Sequence, residues 1–210
     1  MNEFNLGAIV HSGSDTAVGI DVGTSSIKLV QLKKKAGRAV LETYSTLALG
    51  PYAGTEVGTV TNLSGDILAK AIADALKEGG ITTKDAAFSI PASASLIFLL
   101  NLPNAITEKD LVDIVPTEAR KYIPVPISEV TLDYWVIPHK QEGFYEEPVT
   151  GEKKEPETTE VLTAAIHNET LSKYHDLGTN SGLSADVFEI EIFSSIRSTF
   201  SHELSAVLLM

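Results

Sequence analysis

The 210-residue chain contains no cysteine. It therefore has no disulfide framework and no thiolate metal site, and a reducing cytoplasm suits it. It also lacks any apolar run near the roughly 18–20 residues that a membrane-spanning helix needs. Met1–Asp15 carries neither a basic start nor a long apolar core, so it reads as a loosely held arm rather than a secretory signal. Basic charge is scarce: 16 Lys and Arg stand against 28 Asp and Glu, a net charge of −12. That balance argues against nucleic acid or anionic lipid as the main partner. The five His, at 11, 139, 167, 175 and 202, show no metal-ligand spacing, and no Ser-His-Asp arrangement stands out. With 43% hydrophobic and 21% charged residues, the composition suits one globular unit of one or two subdomains.

What is present is organised around the stretch from Val18 to Leu32. Two apolar runs, Ala17–Ile20 and Ile27–Leu32, flank a polar turn of Gly23, Thr24, Ser25 and Ser26. Short apolar runs bounded by Gly and Ser read as strands, so this is a hairpin with chemistry in its turn. Gly23 permits backbone conformations that a Cβ would penalise and lets a ligand approach the main chain. The N–H groups and hydroxyls of Thr24, Ser25 and Ser26 can form a concave set of donors suited to phosphate oxygens. Asp21 ends the first strand, where a carboxylate can orient a magnesium-bound water. Lys28 opens the second strand and can place an ammonium against the same phosphates.

Lys33–Arg38 is a basic turn, read as a solvated hairpin tip. Val40–Leu49 completes a three-strand meander, and Gly50–Val60 is a loop. Asn62 or Ser64 caps a helix to about Glu78, whose Ile67, Leu68, Ala71, Ile72, Ala75 and Leu76 repeat at helical spacing. Ala86–Ile90 is a buried strand stopped by Pro91. Beyond it the pattern predicts a strand over Ala94–Leu102 and a helix from Thr107 to about Tyr122, opened by a capping box with Asp110 and kinked or broken at Pro116. Strands follow over Val130–Ile137 and Val161–His167, then a helix over Leu171–Gly182 and a strand over Ala185–Glu191. His139–Thr159 is acidic and rich in breakers, and is expected to be mobile. Ile192–Met210 has apolar residues at helical spacing and should return to the first domain. Glu189 and Glu191 lie one alternation apart; they read as a solvated strand edge rather than a catalytic pair.

Asp21-x-Gly23-Thr24-x-x-x-Lys28 resembles the first phosphate loop of the actin-like ATPase superfamily. The α/β module after the fourth strand is similar to the insertion in two bacterial branches, FtsA and PilM. Gly19–Lys28, Phe88–Pro91, Leu102-Pro103, Glu118–Pro124 and Val130–Tyr134 resemble the PilM family of type IV pilus assembly proteins more closely. The resemblance implies an α/β fold: an actin-like (ribonuclease H-like) subdomain of residues 17–91 plus 192–210. Residues 92–191 would form an inserted β-α-β-β-α-β interaction module, with 139–159 its mobile loop. It implies ATP and Mg as ligands, held by Asp21, Gly23, Thr24, Ser25, Ser26 and Lys28, with Asp21 reaching the metal through water. It implies a cytoplasmic protein that docks the N-terminal peptide of a PilN-like inner-membrane protein, self-associates, and meets the membrane only through partners. Family members continue into a second actin-like half, so this chain is expected to hold an incomplete, inactive nucleotide cleft. The alternatives are an FtsA-like protein linking the FtsZ ring to the membrane and a sugar-kinase-like phosphotransferase.

Overall fold

The computed structural model describes residues 15–103, 107–137 and 158–199. The chain forms two units: one takes in the described residues up to Ala94 and from Glu169 onward, the other Ser95–Asn168. In the first unit, β1 (Thr16–Val22), β2 (Ser26–Lys35) and β3 (Arg38–Ala48) form the meander. Helix α1 (Gly65–Glu78) and strand β4 (Asp85–Ile90) follow. After the second unit, the first resumes with α3 (Asn168–Asn180), β8 (Ser184–Ile190) and α4 (Glu191–Thr199). The five strands run in the order β3-β2-β1-β4-β8. The β1, β2 and β3 pairings are antiparallel, whereas β1–β4 and β4–β8 are parallel.

Alternation along these strands sends Val18, Ile20, Ile27, Leu29 and Phe88 to one face, where they are buried. There they meet Ala69, Ala71, Ile72 and Ala75 of α1 and Leu177 of α3. The alanines let α1 lie close to the sheet, and the left-handed Gly80 follows its end. Helix α3 comes closer still at Gly178, where a Cβ would stand 2.4 Å from the Cβ of Ala185. Phe88 packs between Tyr174 and Phe188. Burying such a side chain stabilises by about 1.5–3 kcal/mol.

The second unit holds β5 (Ser95–Pro103), α2 (Glu108–Ala119), β6 (Val130–Val136) and β7 (Thr158–His167). Its sheet is wholly antiparallel, in the order β5-β7-β6. Leu100, Leu102, Leu111, Val115 and Val161 form its core. Thr107 opens α2: its N–H and its hydroxyl donate to Asp110 Oδ2 at 3.0 and 2.7 Å.

Three expectations need correction. The inserted module is not β-α-β-β-α-β: β8 leaves it to pair with β4, so a β-α-β-β pattern remains. A buried fourth strand needs a neighbour on each side, and β8 fills the side that β1 leaves open. Helix α2 runs through Pro116 without a break. The carbonyl that loses its helical donor is that of Val112, on the exposed side of the helix, where water can serve it. Finally, Thr158 and Thr159 belong to β7 rather than to a loop. The rest of the expected loop, apart from these two residues, and residues 200–210 of the expected last helix lie outside the described residues.

Candidate phosphate-binding turn

The turn between β1 and β2 is held by its carbonyls. Leu49 N–H donates to Ser25 O at 2.9 Å, and Thr61 donates to Thr24 O through both its N–H, at 2.9 Å, and its hydroxyl, at 3.0 Å. Gly23 N–H closes the turn on Ser26 O at 3.0 Å. The N–H groups of Thr24 and Ser25 find no acceptor among the described residues. With the acceptors engaged and these donors free, the turn offers an anion two backbone N–H groups and adjacent hydroxyls. Thr24 is exposed, and Gly23, Ser25 and Ser26 are half-buried. Gly23 does not adopt a positive φ. Its value lies in close approach, because a Cβ there would stand 3.1 Å from Ser26 O.

Thr61 is a residue that sequence reasoning missed. Its loop is itself anchored: Tyr52, in a 3₁₀ turn at Gly50–Ala53, donates to Asp74 Oδ2 at 2.8 Å. Lys70 donates to the same oxygen at 2.7 Å. Burial pushes the Tyr52 phenol up to about 12, helped by the Asp74 hydrogen bond, and the Lys70 and Tyr52 bonds lower the Asp74 carboxyl. The threonines of that loop were the only hint in the sequence.

One residue before the turn, the sheet register builds a polar row. Thr46, Lys28, Asp21, Ser89 and Glu189 are successive neighbours on β3, β2, β1, β4 and β8. Directly opposed residues share a face, so all five side chains leave the side away from the α1 core. Lys28 Nζ donates to Asp21 Oδ2 at 3.1 Å, both side chains being well exposed. Glu189 is paired with Arg197 of α4. Glu191 is not in the strand with Glu189; it opens α4 and accepts Ala92 N–H at 2.8 Å. The two glutamates therefore serve different partners. On α3, burial pushes the Tyr174 phenol up to about 12, with the Asp21 and Glu191 carboxylates adding to the effect. The turn and this row lie at the carboxyl ends of the parallel strands β1, β4 and β8, the edge where open α/β sheets hold ligands. Among the described residues no three His, Asp or Glu gather as metal ligands.

Residues 19–207 match the family model described as type IV pilus assembly protein PilM. The chain belongs to the PilM family. A solved PilM-PilN type IV pilus biogenesis complex resembles this PilM-family chain with a TM-score of 0.65 at 23% identity, over 86% of this chain and 48% of that one. The likeness shows a shared fold, and the chain spans about half the length of that structure. A Bacteroides thetaiotaomicron protein with an actin-like ATPase fold gives 0.36 at 9% identity, over 83% of this chain and 52% of its own, too slight to argue from. No described helix is long and apolar enough to cross a membrane.

Proposed function

We infer that this PilM-family chain is a cytoplasmic, actin-like assembly protein of type IV pilus biogenesis, held at the inner membrane by partners. In this reading the β1–β2 turn is one wall of an ATP site, and the second unit docks the N-terminal peptide of a PilN-like membrane protein. The observation that carries the nucleotide part is the free Thr24 and Ser25 N–H pair, fixed by bonds to their own carbonyls. Such a donor set fits a phosphate. ATP bound there would bring a polyanion whose charge magnesium offsets. The N–H groups of Thr24 and Ser25 and the hydroxyls of Thr24, Ser25 and Ser26 would hold its oxygens beside Gly23. Asp21 would orient a metal-bound water, and Lys28 would exchange part of its Asp21 contact for a phosphate. The docking part is supported by the likeness to a PilM-PilN complex.

In this reading the described donors would line one side of the nucleotide only. Polar contacts contribute about 0.5–1.5 kcal/mol each, and charged ones about 1.5–3. Losing several moves a micromolar site to about millimolar. Calorimetry of the 210-residue chain with Mg-ATP should therefore give at most millimolar binding, and no hydrolysis. A micromolar constant abolished by Lys28→Ala would overturn the one-sided reading. For docking, the single Trp of the chain is a built-in reporter, since Trp135 lies on β6 and is 43% exposed. Its fluorescence should change on titration with the N-terminal peptide of the cognate PilN-like protein. Unchanged fluorescence together with unchanged amide shifts throughout β5, β6 and β7 would exclude docking on the second unit.

A further inference from the structure

The β2–β3 hairpin tip concentrates basic charge in a chain that is acidic as a whole. Four of its 16 basic residues, Lys33, Lys34, Lys35 and Arg38, fall within six positions, and all four are exposed. Lys33 lies 3.8 Å from Glu42. Lys34, Lys35 and Arg38 have no side-chain ion pair among the described residues. The tip residues Ala36 and Gly37 both have positive φ, 50° and 78°, which turns the chain in two residues and packs the cations tightly around it. An open depression of 510 Å³ lies at the tip, lined by Lys33, Lys34, Lys35, Val40 and two carboxylates, Asp15 and Glu42. Glu42 is already held by Gln31 Nε2 at 2.8 Å.

Register sets the cations on both faces of the hairpin. Lys33, Lys35, Arg38 and Val40 share one face, and Lys34, Leu32 and Leu41 the other. Behind the cations stand exposed apolar side chains: Val40 at 42%, Leu41 at 55% and Tyr44 at 71%. A flat protein surface would engage one face of such a tip. A lipid headgroup layer can surround it, its phosphates taking cations on both sides while the apolar side chains behind them rest against the outer headgroup region. The geometry points to direct docking of this hairpin on an anionic phospholipid surface. The net charge of −12 does not prevent it, because the Debye length is about 8 Å at physiological salt and the local patch decides. This contact goes beyond the partner-mediated membrane link above and does not depend on nucleotide or peptide binding.

Co-sedimentation of the 210-residue chain with vesicles of equimolar phosphatidylglycerol and phosphatidylcholine tests it. The chain should partition onto these vesicles, release at high salt, and ignore pure phosphatidylcholine. Replacing Lys34, Lys35 and Arg38 together by Glu should lower partitioning by on the order of 100-fold or more, since each cation contributes about fivefold. Leu41→Ser with Tyr44→Ser should lower it less while keeping the salt dependence. All these positions are exposed, so a native circular dichroism spectrum is expected of each variant. Partitioning independent of phosphatidylglycerol, or unaffected by the charge reversal, would overturn the proposal. So would a failure to bind vesicles coupled with cation-dependent binding of polyglutamate, which would reassign the tip to an acidic protein.

Discussion

The two sheets of this chain are built by different rules. The three-stranded sheet is all antiparallel, with its core against a single helix, α2. The five-stranded sheet joins an antiparallel meander to a parallel trio, with α1 and α3 on its apolar face. The carboxyl ends of the parallel β1, β4 and β8 meet at one edge, where the polar row runs on across β2 and β3 and the donor-rich turn joins β1 to β2. Parallel pairing aligns strand ends into a rim, and the antiparallel hairpin beside it adds the donor-rich turn and Lys28 to that rim.

That contrast can be broken most forcefully at Phe88. Phe88→Ala should cost about 3–5 kcal/mol, because it empties the contact between β4, α3 and β8. Hydrogen exchange should show β1, β4 and β8 amides losing protection while β5, β6 and β7 keep theirs. Equal loss in both sheets would mean that they do not unfold separately. In the opposite direction, Pro116→Ala restores a helical N–H inside α2 and should stabilise the second unit by about 1–2 kcal/mol. A lower denaturation midpoint for that variant would show that the proline suits a bend α2 needs.

Arg197→Ala tests the rim itself. The pair with Glu189 is about two-thirds buried, so its loss should cost about 1 kcal/mol, seen as lower protection in α4. No change would make the pair a surface ornament of the row. The smallest effect belongs to Asp110, whose carboxyl the Thr107 hydroxyl and N–H hold below the usual carboxylate range. A carboxyl with a lowered folded value adds stability above its unfolded value of about 4 and loses it as pH falls through the folded one. Asp110→Asn should slightly weaken α2 at neutral pH and flatten this acid dependence. An undiminished acid loss in the variant would point to another carboxyl.

Most of the fold was legible wherever structure is local. The meander, α1 with its Ala-rich face and the Thr107–Asp110 cap follow from alternation, helical spacing and capping chemistry between near neighbours. The motif residues of the turn were legible for the same reason, since Asp21, Gly23 and Lys28 sit within one hairpin. Illegible were the partnerships set by distant pairing. Nothing near Ala185 says that it lies beside Ala86, so β8 read as part of the nearer module. Ser89 joined the row through the β1–β4 pairing and Glu189 through β4–β8. Pro116 does not break α2 for a different reason: the cost of a helical proline depends on whether solvent can reach the carbonyl it abandons.

The β4–β8 pairing also sets a schedule for synthesis. After Ile90 leaves the ribosome, the whole second unit and α3 must be made before Ser184 appears. At about 5–20 residues per second, that is roughly 5–20 s during which one side of β4 has no strand beside it. For that interval the nascent chain carries an open, apolar strand edge of the kind that templates wrong pairing. A chaperone or the ribosome surface would have its best-defined client segment at Asp85–Ile90, and shortening the second unit would shorten that exposure in proportion.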